Sequence, residues 1–148
     1  MPRLLVLLTL TLGLALGACA RDGATDAVPG VRLGMSPRDV RDRFDGGGQG
    51  AWQTKVGGGA GVSDDTVLEW SAASDTTRAT HARFEFHLGM LVAVRAHLRE
   101  AAASERVDVT PKIVTVRKPQ GGGTEVTILA RDCPTHHEEA ESLAAKGR

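Results

Sequence analysis

Ala82-Arg-Phe-Glu-Phe-His-Leu-Gly-Met-Leu-Val-Ala-Val-Arg-Ala-His-Leu98 reads as two strands turning at a glycine. On the first arm Ala82, Phe84 and Phe86 alternate with Arg83, Glu85 and His87, the period of a strand with one dry face. The second arm is apolar almost throughout, so its register must come from the first. A two-residue loop at Leu88-Gly89 would put Phe84 and Phe86 on the face of Arg95 and His97. A three-residue loop, Leu88-Gly89-Met90, pairs Phe86 with Val92 and Phe84 with Val94. It gathers Ala82, Phe84, Phe86, Val92, Val94, Ala96 and Leu98 on one apolar face, which a slip of one residue would destroy. The longer loop is therefore expected, with Gly89 supplying its left-handed position.

That register also decides which polar residues meet. His81 falls opposite His97, with about 5.5 Å between their Cβ atoms, and Arg83 falls opposite Arg95. His81, Arg83, Arg95 and His97 are the candidate ligand-binding residues. Two imidazoles so placed suit a metal, with His87 farther along the face, but the two guanidiniums repel a cation. Glu85, diagonal to Arg95, is better used against it than in catalysis. A solvated strand face is the plainer reading. No nucleophile–base–carboxylate set can be read from spacing, so no catalytic residue, metal or cofactor is assigned and a non-enzymatic role is expected.

Flanking segments extend the sheet. Residues 66–70 read as a strand, with 51–56 as a partner across the Gly57 loop. Residues 112–118 and 124–130 form a second hairpin across 119–123, setting Val116 opposite Val126, Val114 opposite Ile128 and Arg117 opposite Glu125. Three glycine clusters, at 46–48, 57–59 and 121–123, lack the Gly-Lys-Ser/Thr of a phosphate loop and read as turns. Upstream, Ser36-Pro37-Arg38-Asp39 starts a short helix: Ser36 and Asp39 form a capping box, Pro37 suits the first position, and Met35 staples to Val40. A last helix spans 135–146, opened by a Thr135/Glu138 capping box. The expected fold class is α+β. It has an antiparallel sheet of about five strands, with the short N-terminal helix and the C-terminal helix packed on its apolar face.

Cys133-Pro134-Thr135-His136 lies where a strand meets that helix. A helix N-terminus and an imidazolium both lower a thiol pKa, which makes Cys133 the candidate reactive thiol. His136 occupies the place of a second redox cysteine, and Glu138 and Glu139 oppose a thiolate, so a small buried thiol is the competing reading. His136-His137-Glu138 is not a zinc set, because adjacent helical residues point apart.

The start of the chain gives an address. Met1-Pro2-Arg3 is basic, residues 4–16 are an apolar run, and Leu16-Gly17-Ala18-Cys19 precedes a polar turn at Arg21. The run is too short for a bilayer core of about 30 Å, so an export signal fits. Ending in Leu-Gly-Ala-Cys, it resembles a bacterial lipoprotein signal with its lipobox. That resemblance implies lipidation of Cys19, cleavage before it, and an anchor of several acyl chains. An ordinary secretory signal cut after Ala18 is the alternative. Ala20, in place of the Asp that retains enteric-type lipoproteins in the inner membrane, favours the outer membrane, facing the periplasm. The expected organisation is a signal peptide over 1–18, a tether over 19–29 and one domain over 30–148, with 105–148 as a hairpin-plus-helix extension.

Loss of residues 1–18 removes one charge, Arg3, from a balance of 18 basic and 18 acidic side chains, leaving a net charge of −1. Such a chain has no electrostatic footprint for nucleic acid. With no tyrosine and few aromatic residues it offers no stacking platform for bases. With Cys19 lipidated, Cys133 is the one thiol left and no intramolecular disulfide forms.

Gly30-Val-Arg-Leu-Gly-Met-Ser36, its Val40, and Phe84-Glu-Phe-His-Leu-Gly-Met-Leu-Val-Ala93 behind a lipobox resemble the SmpA/OmlA small lipoproteins, which include BamE-like subunits of the outer-membrane β-barrel assembly machine. The likeness covers residues 30–98. It implies a helix-on-antiparallel-sheet fold and a scaffold role among envelope proteins. The helix departs from the family pattern by ending in Phe44-Asp-Gly-Gly-Gly48 rather than Leu-Gly-x-Pro, and 105–148 has no counterpart. A periplasmic ligand- or metal-binding lipoprotein using the Arg/His-rich strand face is the second functional reading.

Overall fold

The computed structural model describes residues 27–56 and 65–147. The leader, Cys19 and the Gly57-Gly58-Gly59 cluster lie outside the described residues. The strands are β1 (Gly50–Val56), β2 (Thr66–Ala72), β3 (Ala79–His87), β4 (Met90–Leu98), β5 (Arg106–Val109), β6 (Ile113–Gln120) and β7 (Gly123–Ala130). Two short helices, α1 (Pro37–Arg43) and α2 (His137–Lys146), flank them. All seven strands form one antiparallel sheet in the order β1-β2-β3-β4-β7-β6-β5.

The central hairpin turns more tightly than expected. His87 pairs with Met90, leaving Leu88 (φ 51) and Gly89 (φ 74) as a two-residue turn. Two positive φ values make it type I′, whose twist matches the flanking strands. Yet Phe84 still faces Val94, Ala82 faces Ala96 and His81 faces His97. A bulge reconciles the two facts, because the register shifts between Glu85–Ala93 and Phe86–Leu91. Val92 is the extra residue, and Leu91 takes its expected place in the core. The three-residue loop is thus corrected to a tight turn plus a bulge, which restores the side-chain parity that burial requires.

The second hairpin overturns the expected register. Gln120 pairs with Gly123 around Gly121 (φ 58) and Gly122 (φ 82), another type I′ turn. The pairs are Val114–Leu129, Thr115–Ile128, Val116–Thr127 and Arg117–Val126, one residue off the five-residue-loop register, and Lys118 rather than Arg117 faces Glu125. Ile113 to Val116 are all buried, so the first half of this strand is dry on both faces. Without a wet side, alternation no longer fixes the register and the turn geometry decides it.

The expected five-strand sheet with both helices on one face is also overturned. Among the described residues there are seven strands, including β5, and two cores on opposite faces. On the aromatic face Leu68, Trp70, Phe84, Phe86, Leu91, Val94, Val126 and Ile128 are buried together with Ala27, Val28, Val31 and Val40. Phe44 packs edge-on against Trp52, Trp70 and Phe84 at 5.9, 5.2 and 5.1 Å. The capping box of α1 forms as expected: Ser36 Oγ accepts from the Asp39 amide, and the Ser36 amide donates to Asp39. However, α1 is seven residues long and buries only Val40. The layer here is therefore mainly the irregular chain over 27–35 rather than a docked helix. Glycines 46 and 50 lie under the Trp70 ring, where a Cβ would come within 2.5 and 2.1 Å of it. They serve close approach as well as turning.

On the opposite face Ala93, Val114, Val116 and Leu129 are buried under Ala140 and Ala144 of α2. This helix starts at His137, and its N-cap His136 makes no side-chain capping bond, so the Thr135/Glu138 box does not form. The His136 ring lies against the sheet instead.

Candidate functional site

Because Ala82, Phe84 and Phe86 enter the core, the alternate residues His81, Arg83, Glu85 and His87 line the other face. β2 adds Glu69 opposite Arg83, and β4 adds Arg95 and His97. The charges form one continuous ladder. Lys55 pairs with Glu69 at 2.7 Å, Arg83 with Glu69 and with Glu85 at 3.0 Å each, Arg95 with Glu85, and Arg95 with Glu139 of α2 at 2.7 Å. His136 Nε2 lies 3.4 Å from Glu85, and its Nδ1 lies 3.8 Å from Glu139. Arg83 and Arg95 stand opposite each other without conflict because Glu85 sits between them. Hydrogen bonding from the Lys55 ammonium, helped by the charges of Lys55 and Arg83, holds the Glu69 carboxyl below its ordinary value despite partial desolvation.

Of the four candidate ligand-binding residues, Arg83 and Arg95 belong to this ladder, while His81 and His97 form a separate stacked pair. Their ring centroids are 5.6 Å apart with planes 11° from parallel. Thr80 Oγ1 lies 3.1 Å from His81 Nδ1 and 3.0 Å from His97 Nδ1, and His97 Nε2 lies 3.0 Å from the Gln120 carbonyl. With both rings neutral, one arrangement of donors satisfies these contacts. A carbonyl only accepts, so His97 carries its proton on Nε2 and takes the Thr80 hydroxyl proton at Nδ1. His81 then donates from Nδ1 to Thr80. Both Nδ1 atoms are thereby engaged by one hydroxyl. Among the described residues no group of three or more His, Cys, Asp or Glu side chains could hold a metal ion. His87 lies farther along and bonds Asp65 at 2.8 Å.

Cys133 is buried and in no disulfide. The imidazole expected to activate it, His136, directs its ring nitrogens at Glu85 and Glu139.

Three features escaped the sequence reading. Glu69 was visible in principle, since pairing β2 with β3 puts it opposite Arg83. Glu139 and His136 join the ladder only because α2 folds back over the sheet. Arg117, displaced to the aromatic face by the register of β6, lies opposite Arg106, and its buried Nε has no hydrogen-bond partner among the described residues. Arg106 itself pairs with Asp108 at 2.8 Å.

Among the described residues the exposed large apolar side chains share one rim of the sheet. Val56 ends β1, Leu88 is the first residue of the β3–β4 turn and Met90 follows that turn, and Val109 ends β5. Leu88 is 60 % exposed although its φ is positive. Neither burial nor backbone preference accounts for a leucine there, since Gly, Asn or Asp adopts this conformation at lower cost.

Compared with known proteins, the chain matches no family model, no curated protein and no solved structure.

Proposed function

We propose that this chain is a lipid-anchored, non-catalytic module of the bacterial envelope that docks other envelope proteins, in the manner of the SmpA/OmlA lipoproteins it resembles. Cys19 carries the lipid, and the folded part faces the periplasm from the outer membrane. The observation that carries the docking reading is Leu88. A large apolar side chain stands in solvent at a left-handed turn position, with Met90 beside it. Local rules broken without local gain mark sites kept for function. A second support is that the two parts of the motif touch: the Gly34 amide donates to the Leu91 carbonyl and the Leu91 amide to the Met35 carbonyl, both at 2.8 Å.

The test is affinity purification from detergent-solubilised envelopes. The wild-type chain is expected to bring down a defined envelope partner, and Leu88→Asp with Met90→Asp to lose it without unfolding. A chain that purifies alone from both, or partners kept by the double variant, would sink the docking reading. Mass spectrometry of the mature protein tests the anchor separately: an unmodified Cys19 at its start would refute it.

A further inference from the structure

The two edges of the sheet are built differently. β5 is four residues long, carries Arg106 and Asp108, is followed by Pro111, and has α2 against it. Shortness, charge, proline and cover are the usual means by which a protein blunts an edge against pairing. β1 is neither short nor interrupted by proline, and of these means it has one charge of its own and the Arg41 side chain of α1, which donates to Thr54 and lies over Trp52. Its seven residues pair with β2 without a break, from Gly50–Ala72 to Val56–Thr66, with no bulge and no proline. Its single charge, Lys55, is engaged by Glu69 on the sheet face. Ala51, Gln53, Thr54, Lys55 and Val56 are exposed. Among the described residues β2 is the one strand beside it, and no loop backbone bonds to its outer side.

We propose that β1 pairs with β1 of a second copy of this chain, antiparallel about a twofold axis through Gln53, making one sheet continuous across the two molecules. The strand suits itself as a partner. Centred on Gln53, the pairing sets Trp52 opposite Thr54, Ala51 opposite Lys55 and Gly50 opposite Val56. Within the strand itself like charges do not meet, because Lys55 faces an alanine, while the Arg41 side chains, bonded to Thr54 and lying over Trp52, come beside each other across the axis. Val56, 69 % exposed, gains a neighbour whose lack of a side chain leaves it room. The axis stands perpendicular to the sheet, so the aromatic faces of both copies lie on the same side. The entering chains over 27–35 then lie on that side as well, which lets two tethers reach one membrane. The pairing does not depend on the docking role proposed above, which uses the rim rather than the edge.

The test uses the mature lipidated chain in detergent micelles, in a Cys133→Ala background. Gln53→Cys is expected to give a disulfide-linked dimer on mild oxidation, because that residue faces itself across the axis. Asp108→Cys, on the other edge, is expected to give none. Gln53→Lys puts two like charges face to face and is expected to weaken the dimer at least tenfold by light scattering and sedimentation, with the melting temperature of the dilute chain unchanged. A chain monomeric at every concentration with no Gln53→Cys link overturns the proposal. So does a dimer that Gln53→Lys leaves intact, or one linked equally well through Asp108→Cys. Cross-linking of Gln53→Cys in whole envelopes to a different polypeptide alone also overturns it, assigning the edge to a foreign strand.

Discussion

The β3–β4 and β6–β7 hairpins share a two-residue type I′ turn, but water meets them differently. β3–β4 carries the aromatic core on one face and the charge ladder on the other; β6–β7, in the half away from its turn, is dry on both, with the aromatic core on one side and α2 on the other. The wet face can hold arginine and glutamate at close range because water and neighbouring charges share their solvation. The doubly covered half has no such refuge for a charge. Arg117, which its register turns onto the aromatic face, is left with a buried and unpartnered Nε.

The largest effects should separate the two halves. Phe84→Ala is expected to cost about 3–5 kcal/mol, and Arg83→Ala on the other face of the same strand less than about 1 kcal/mol. In β7 both neighbours should be costly, Ile128→Ala and Leu129→Ala each losing about 2–5 kcal/mol in denaturant unfolding. A Leu129→Ala change as mild as Arg83→Ala would show that α2 does not cover this half.

Arg117→Met should stabilise by about 1 kcal/mol, since it removes an unpaired buried donor and keeps most of the apolar stem. The comparison is sharpened by Arg95→Met, which breaks the ladder and should not stabilise. Equal gains from the two would erase the distinction between the faces.

Smaller again is Leu88→Asn. Relief of the left-handed leucine should raise stability by roughly 0.5–1 kcal/mol while weakening capture of envelope partners. A change in both in the same direction would mean that Leu88 serves the fold.

The smallest effect concerns acid. Asp39, held low first by its hydrogen bonds from Ser36 and then by nearby arginines, and Glu69, held low first by Lys55, both have depressed folded values. Their contribution is complete above the ordinary values of 3.8 and 4.5 and is lost as pH falls through the folded ones. Melting temperature should therefore decline in that range, and Lys55→Met should flatten the part due to the ladder. An unchanged acid limb in Lys55→Met would remove Lys55 from it.

How far the chain could be read follows from the same contrast. Phe84, Phe86 and their charged neighbours alternate because one face is wet, so the pairing of Phe84 with Val94 and of His81 with His97 could be found from the sequence. The turn was misassigned because a bulge at Val92 absorbs the odd residue, and bulges leave little compositional trace. In β6 alternation is absent, so nothing local chooses between two registers one residue apart. β5 is hard to see because Arg106-Val-Asp-Val109 alternates over only four residues, too few for the period to stand out.

By itself the sequence determined the cap of α1, the parity of the β3–β4 face and the meeting of His81 with His97. Each depends on residues close in the chain or on the repeat of two along a strand. It also supplied the resemblance to a lipoprotein signal at Cys19. Tertiary structure alone decided that α2 covers the face opposite the aromatic core. It also brought Glu139 and His136 to the ladder and turned Arg117 inward. These outcomes depend on which surface a distant helix buries, and the free energy of that choice lies in contacts among residues far apart in the chain.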